Sequence, residues 1–304
     1  MNIFLRILAL SSLLASLLAL SACDNNKLPP AAEGKLRIVC SFLPLQAHAL
    51  AIAGDRAEVL QLLDKETGPH DFQFTPADVA KLTDARLFFI NGIGLEAWLA
   101  DLVSAAGAEN LEVIDTSEGI ALAGNPTALD GAPDSGVNPH IWLDPQLALA
   151  QARNVLAAMV AADPDNAAIY EANAQVYFAQ LEALDAEFEA QLAPLESKKL
   201  VTFHDAFPYL AERYGIDYIG SFNSFPGQEP TPKQLAELME KIRSNQVNIL
   251  LSETGYAPDL LVEIARQTGA SVAELDTLEV GSGTADAYLQ RMRANLKSLT
   301  ESFQ

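Results

Sequence analysis

One stretch of the 304-residue chain decides how the rest is organised: residues 163–195, DPDNAAIYEANAQVYFAQLEALDAEFEAQLAPL. Apolar side chains recur in it every three or four residues, and neither Gly nor Pro interrupts it between Pro164 and Pro194. This spacing is typical of an amphipathic helix, here about 45 Å long at ~1.5 Å per residue. We therefore predict a single rod. Two helices with a break between them are the alternative.

The segments before and after this rod follow the same plan. Short runs rich in β-branched residues alternate with helical stretches, which predicts βαβ units and parallel sheets. Strands are expected at 36–42, 57–63, 86–91, 111–115, 199–203, 216–220, 247–252 and 271–275. The predicted fold class is α/β, with two (β/α) lobes that each hold a roughly four-stranded parallel sheet and are joined by a long rigid backbone helix. The expected limits are 36–162 for the N-terminal lobe, 163–195 for the linking helix and 196–304 for the C-terminal lobe.

The first residues are typical of a processing segment and not of a folded element. Arg6 precedes an apolar run that is too short for a spanning helix and ends in Leu20-Ser21-Ala22-Cys23. This ending resembles the lipobox of bacterial lipoproteins. It predicts a signal peptide at 1–22, a lipid anchor on Cys23, a flexible tether at 23–35 and, with Asp24 next, a periplasmic protein held at the inner membrane. An ordinary cleaved signal peptide is the alternative.

The net charge of the chain restricts the classes of partner that it can bind. The chain carries a formal net charge of −21 at pH 7. So acidic a surface argues against nucleic acid as a partner, and it either favours cations or serves solubility alone. If Cys23 is lipidated, Cys40 is the one remaining thiol, and no intramolecular disulfide is expected.

The chain has four histidines, and three of them lie in polar, turn-like segments at even intervals: His70, His140 and His204. Asp276 follows 72 residues after His204, directly beyond a predicted strand. Imidazole and carboxylate groups bind borderline divalent metals, and α/β folds hold ligands at the carboxyl ends of parallel strands. We therefore expect a metal site in a cleft between the lobes. His48 lies within a helical stretch and is assigned to packing or to the surface.

Four further acids lie beside these positions: Asp71, Asp144, Asp205 and Glu253. A carboxylate can accept the far N–H of a ligating imidazole and so fix its tautomer. Helix capping is an equal or better interpretation for Asp144 and Asp205, because both precede predicted helices. Glu253 ends a predicted strand on the cleft side and could equally be an alternative oxygen ligand.

Six segments together carry a family resemblance. They are Ser41-Phe42-Leu43-Pro44-Leu45, Gly68-Pro69-His70-Asp71-Phe72, 91–99 (NGIGLEAWL), 138–145 (NPHIWLDP), Phe203-His204-Asp205-Ala206-Phe207 and Glu274-Leu275-Asp276-Thr277-Leu278. In this order they resemble the cluster A-I (cluster 9) metal-binding solute-binding proteins of ABC importers, a group that includes zinc periplasmic binding proteins. The resemblance covers residues 36 to about 302.

The resemblance implies a four-ligand site of His70, His140, His204 and Asp276, two ligands from each lobe. It also implies an ABC permease as partner, with a metallochaperone as a further candidate. Two departures stand out. Residues 124–138 lack the His-rich loop of many zinc-specific members, so accessory metal capture by that loop is not expected. Thr277 stands where the family usually has Pro, which affects the turn more than the coordination.

The donor set favours zinc. Three imidazoles and one carboxylate suit tetrahedral Zn²⁺, whereas Mn²⁺ prefers more oxygen ligands. Manganese-selective members of the resembled family usually have a carboxylate where this chain has His204. We predict Zn²⁺ as the bound solute, with Mn²⁺ second, and a high-affinity extracytoplasmic receptor that delivers the metal to the permease.

Two other functions compete with the receptor, an enzyme and a surface adhesin. A catalytic zinc commonly keeps one position open for water, which four protein ligands would fill. The chain also lacks a His-Glu-x-x-His helix and a Gly-x-Ser-x-Gly elbow, so we predict that it is not an enzyme. The other rival is a surface adhesin lipoprotein in which the metal only stabilises the fold, and the sequence leaves it open.

Overall fold

The computed structural model describes residues 34–63, 66–70, 72–122, 137–223, 231–253 and 259–304. The predicted signal peptide, Cys23 and Asp71 lie outside these ranges. Within the described part, two parallel four-stranded sheets alternate with helices. This confirms the predicted α/β fold, while the lobe limits stay predictions.

The first sheet has the strand order β2-β1-β3-β4, and every neighbouring pair is parallel. Helices connect its strands, as parallel pairing requires. Its elements are β1 Leu36–Cys40, α1 Leu43–Ala53, β2 Ala57–Gln61, α2 Pro76–Thr83, β3 Leu87–Ile90, α3 Leu99–Ala106 and β4 Glu112–Asp115. All four residues of β3 are buried, as expected for a central parallel strand covered on both faces.

Two helices follow this sheet. A 3-10 turn at Ile141–Leu143 leads into α4, Pro145–Ala162, and a second 3-10 turn at Pro164–Asn166 leads into α5, Ala167–Leu192. α5 is one uninterrupted helix of 26 residues, about 39 Å long at ~1.5 Å per residue. It starts three residues after Pro164, because the proline begins the short 3-10 turn. The single rod is therefore confirmed, somewhat shorter than predicted.

The second sheet repeats the plan with the order β6-β5-β7-β8, again all parallel. Its elements are β5 Lys199–His204, α6 Pro208–Arg213, β6 Asp217–Asn223, α7 Pro232–Ser244, β7 Ile249–Glu253, α8 Asp259–Thr268, β8 Ser271–Leu275 and α9 Ala287–Phe303. Helices α2, α4, α6 and α7 all begin with proline, whose missing N–H would be unpaired in the first turn anyway.

The rod joins the two halves through a shared core. Its buried stripe includes Tyr170, Tyr177, Leu181 and Phe188, and it packs against α1, α4 and α9. Helix α9 belongs to the C-terminal half in sequence but packs against α1 of the N-terminal half as well. One hydrophobic cluster therefore runs through both halves. The relative position of the two sheets is fixed by packing and not by a flexible linker.

His48 lies in this shared core and not in the cleft. Its side chain is fully buried on α1, and Nδ1 lies 2.8 Å from the hydroxyl of Tyr177 on α5. Burial lowers the pKa of His48 to about 3, so the ring is neutral at physiological pH. This placement agrees with the assignment of His48 to packing.

A strained loop follows β3 at the carboxyl edge of the first sheet. Gly92, Ile93 and Gly94 all have positive φ, at 80°, 56° and 75°. An added Cβ at Gly92 would collide with the carboxylate of Asp115, so only glycine fits there. Helix α3 begins only at Leu99, after this loop.

The buried carboxylate of Glu96 holds this loop together. Its Oε1 accepts hydrogen bonds from the backbone N of Asn91 at 2.8 Å and from Ser41 Oγ at 3.0 Å. Its Oε2 accepts from the backbone N of Gly92 at 3.1 Å. Burial raises the pKa of Glu96 to about 7, although these donors act in the opposite direction. One side chain therefore ties the ends of β1 and β3 together.

No helix in the described part of the chain combines the length and the apolar character that a membrane span needs.

We expect Glu96→Gln to lower the free energy of unfolding by about 1–3 kcal/mol, because the amide N–H₂ group would face a backbone N–H donor. Urea unfolding at neutral pH measures the loss. Glu182→Gln is the control, since this side chain is 58% exposed and its oxygen lies 3.7 Å from Arg153. The control should change stability by less than about 0.5 kcal/mol. Equal losses in the two variants would contradict the role of Glu96.

Candidate metal centre

The three histidines singled out by the sequence meet in one cleft. His70 follows β2, His140 precedes the 3-10 turn before α4, and His204 is the last residue of β5. Nε2 of His70 lies 3.2 Å from Nε2 of His140. The ring centroid of His204 lies 4.7 Å from that of His140 and 5.4 Å from that of His70. The fold thus brings together side chains from both halves of the chain.

A fourth side chain, Glu279, completes the group. Its Oε1 lies 3.0 Å from Nε2 of His140 and 3.4 Å from Nε2 of His70. One ligand atom from each of the four residues lies within 4.8 Å of the others. Glu279 and two of the histidines are buried, and His70 is partly buried. Three imidazoles and one carboxylate therefore converge on a common point.

Asp276, the expected fourth ligand, is not part of this group. Its carboxylate accepts hydrogen bonds from the guanidinium of Arg291, from Nη2 at 2.6 Å and from Nε, and from the backbone N of Leu278 at 2.8 Å. Leu278 then adopts a left-handed conformation with φ of 58°, and the next residue is Glu279. The turn therefore places Glu279, the acidic residue three positions after Asp276, in the cleft. The sequence carried one signal for it, a lone acid between the apolar residues Leu278 and Val280.

The spacing of the ligand atoms fits a small tetrahedral ion. Bonds of about 2.0–2.1 Å to a tetrahedral zinc ion place neighbouring ligand atoms roughly 3.3 Å apart. The three separations among His70, His140 and Glu279 run from 3.0 to 3.4 Å. Nε2 of His204 is buried and has no hydrogen-bond partner among the described residues. A buried imidazole nitrogen of this kind is available as a ligand atom.

The hydrogen bonds of His140 fix its tautomer. Nδ2 of Asn138 donates to the backbone carbonyl of Asp205 at 2.7 Å, which leaves Oδ1 of Asn138 as an acceptor. Nδ1 of His140 lies 2.8 Å from that Oδ1 and therefore carries the proton. The lone pair is then on Nε2, which faces the other three side chains. Asn138 was not among the predicted site residues.

The electrostatics of the cleft keep Glu279 charged and His140 neutral. Burial lowers the pKa of His140 to about 3, against the opposing effect of Glu279. Burial alone would raise the pKa of Glu279, but the contact with His70 and the charge of His204 bring it below its usual value. Burial opposes the charge on His204, yet Glu253 and Glu279 raise its pKa overall. An ionised carboxylate and a neutral imidazole are the forms that bind metal.

Side-chain hydrogen-bond donors hold the backbone before three of the four residues of the group. Nε1 of Trp98 donates to the carbonyl of Pro69 at 3.0 Å, and Nδ2 of Asn91 donates to that of Pro139 at 2.9 Å. Nε1 of Trp142 donates to the carbonyl of Thr277 at 2.7 Å. Each of these carbonyls lies one or two residues before a member of the group. The side chains are thus presented on backbone that is already fixed.

The four further acids of the sequence analysis differ in their roles. Asp144 caps α4 and accepts from the backbone N of Gln146 at 2.8 Å, which is the capping role that was expected. Burial raises its pKa to about 6. Asp205 accepts a hydrogen bond from the hydroxyl of Tyr218 at 2.8 Å, and the N-cap of α6 is Phe207 instead. Oε1 of Glu253 lies 3.3 Å from Nδ1 of His204. Asp71 lies outside the described residues.

Comparison with known proteins places this arrangement in a family. Residues 38–302 match the family model described as ZnuA, zinc-uptake complex component A, periplasmic. The chain is 30% identical over 308 residues to the high-affinity zinc uptake system protein ZnuA of Bacillus subtilis (strain 168), with 95% of each chain covered. It is 30% identical over 302 residues to the manganese ABC transporter substrate-binding lipoprotein PsaA of Streptococcus anginosus, with 95% of this chain and 96% of that protein covered.

A solved structure shows the same architecture. The zinc-bound crystal structure of a variant of AdcAII from Streptococcus pneumoniae superimposes with a TM-score of 0.81 at 27% identity, covering 90% of this chain and 100% of that one. The resemblance drawn from the six sequence segments is thereby confirmed. The chain belongs to the ZnuA family of metal-binding substrate-binding proteins of ABC transporters, whose members are receptors and not enzymes.

Proposed function

We propose that this protein is an extracytoplasmic zinc receptor that binds Zn²⁺ with high affinity and delivers it to an ABC permease. Membership of the family supports a receptor that works with a permease and an ATPase and carries a metal ion. The observation that supports the site is the convergence of His70, His140, His204 and Glu279 within 4.8 Å. Glu279 takes the place of Asp276 in this proposal, since the carboxylate of Asp276 is paired with Arg291.

The donor chemistry supports zinc over manganese. Three of the four side chains offer nitrogen and one offers oxygen, which suits a four-coordinate borderline ion. Mn²⁺ lies at the weak end of the Irving–Williams order and prefers sites with more oxygen ligands and higher coordination. Relatives at the same level of identity are named for zinc and for manganese. The nitrogen-rich donor set is what makes zinc the proposed solute.

We expect one Zn²⁺ per chain and an affinity for Zn²⁺ at least about 100-fold higher than for Mn²⁺, because the Irving–Williams order is not opposed by an oxygen-rich site. Competition calorimetry on metal-free protein measures both constants, and mass spectrometry under native conditions gives the stoichiometry. Mn²⁺ binding as tight as Zn²⁺ binding would overturn the choice of zinc.

We expect His204→Ala and Glu279→Ala each to weaken zinc binding by more than about 100-fold, since replacing a group that only orients a ligand already costs about 10–100-fold. Titration against a chelating dye measures the affinity, and circular dichroism checks the fold. Glu263→Gln, an exposed member of an ion pair with Arg266, is the control and should bind zinc as the unaltered protein does. Unchanged affinity in both alanine variants would rule out the proposed site.

We also propose that Cys23 carries a lipid that anchors the protein on the periplasmic face of the inner membrane. The motif Leu20-Ser21-Ala22-Cys23 supports this, as do relatives named as lipoproteins. Mass spectrometry of the mature N-terminus should show Cys23 as the first residue, with the added mass of a diacylglycerol on its thiol. Cys23→Ser should lack this mass, because the thiol that would be acylated is gone. An unmodified Cys23 thiol in the mature protein would contradict the anchor.

A further inference from the structure

The loop that carries Glu279 is held in an unfavourable conformation. It links β8 to α9, and within it Leu278 has φ of 58° and Gly281 has φ of 100°. A left-handed conformation is sterically unfavourable for a non-glycine residue. Such a residue persists only where its surroundings fix it. The contacts of this loop therefore decide where the carboxylate of Glu279 lies.

Arg291 on α9 contacts the loop on both sides of Glu279. Its Nη2 donates to Oδ1 of Asp276 at 2.6 Å, and its Nε donates to Oδ2. Its Nη1 donates to the backbone carbonyl of Val280 at 2.7 Å. The planar guanidinium therefore joins the residue three positions before Glu279 to the residue directly after it. A lysine, with a single point charge, could not make all three contacts.

Asp276 passes this constraint to the turn itself. Its Oδ1 also accepts from the backbone N of Leu278 at 2.8 Å. Asn295 lies one turn beyond Arg291 on α9 and is 2% exposed. Its side chain forms hydrogen bonds with both backbone polar groups of Asp276. Its Oδ1 accepts from the N of Asp276 at 2.8 Å, and its Nδ2 donates to the carbonyl at 2.7 Å. The loop is thus attached at several points to a helix that is packed in the shared core.

We propose that Arg291 is a positioning residue for zinc binding, which acts through Asp276 and the Val280 carbonyl to hold the Glu279 carboxylate in the cleft. This inference rests on the proposed function, in which Glu279 is a ligand. Because the loop is ordered in advance, binding does not have to restrict the carboxylate, and affinity rises.

The same helix offers a matched ion pair with no contact to the loop. Arg293, two residues further on, makes a two-pronged ion pair with Glu187 on α5, at 2.8 and 2.9 Å. If Arg291 served only to stabilise the fold, removing Arg293 would be a comparable change. The two arginines therefore separate a positioning role from a structural one.

A double-mutant cycle on zinc affinity tests the proposal. We expect Arg291→Ala to weaken zinc binding by about 10–100-fold in the otherwise unaltered chain, the range for groups that orient a ligand. In the Glu279→Ala background the same change should cost less than about 3-fold, because nothing is left to position. Arg293→Ala should leave affinity within about 2-fold in both backgrounds. Arg291→Lys should fall between Arg291→Ala and the unaltered protein.

The outcomes are distinct. Equal losses from Arg291→Ala with and without Glu279, or no loss at all, would overturn the positioning role while leaving Glu279 as a ligand. If Glu279→Ala alone left the affinity unchanged, Glu279 would not be a ligand, and the positioning role would fall with that assignment. Thermal unfolding of each metal-free variant accompanies the cycle. If Arg291→Ala does not fold, the cycle is run with Arg291→Lys, for which the same coupling to Glu279 is required.

Discussion

The packing of α5 and α9 across the two halves is the constraint on which the cleft depends. Four side chains from loops as far apart as residues 70 and 279 must meet with their ligand atoms a few ångströms apart. That spacing requires the supporting elements to be held rigidly. A single hydrophobic cluster that includes residues of both sheets and of the rod provides the necessary rigidity. Packing of the core therefore sets the positions of the ligand atoms, and their coordination chemistry depends on those positions.

The cleft also contains a buried charged group, the carboxylate of Glu279. A buried carboxylate is costly unless charge or hydrogen bonds compensate it. Glu279 is 3% exposed, and His70 together with the charge of His204 supplies that compensation. A divalent cation would supply it more strongly, because it brings two charges to the same point. The preference of this site for a cation thus follows from its burial as well as from its donor atoms.

The sequence predicted much of this structure, and its errors have physical causes. A central strand such as β3 was predictable because a parallel strand buried on both faces is a continuous apolar run. The three histidines stood out because the chain has so few. The choice of Asp276 over Glu279 depended on one backbone dihedral at Leu278 and on a distant arginine, neither of which leaves a local pattern. Asn138 was missed for a related reason: its partner, the carbonyl of Asp205, is 67 residues away. The local spacing of apolar residues predicts which side chains are buried. Hydrogen bonds between residues far apart in sequence can be identified only from the three-dimensional structure.

The shared core also limits how a receptor of this kind can release its metal. Separating the two halves would expose α9 side chains such as Tyr288, Met292 and Leu296, all buried against the rest of the core. Each buried apolar side chain stabilises the closed arrangement by about 1.5–3 kcal/mol. Moving one ligand loop exposes far less apolar surface. The loop of Glu279 contacts both halves, since Nε2 of Gln61 donates to the carbonyl of Gly281 at 2.7 Å while Arg291 holds it to α9. A partner that displaced Gln61 or Arg291 from this loop would free the carboxylate without disturbing the core. Release of the metal by movement of this loop therefore requires less free energy than separation of the two lobes.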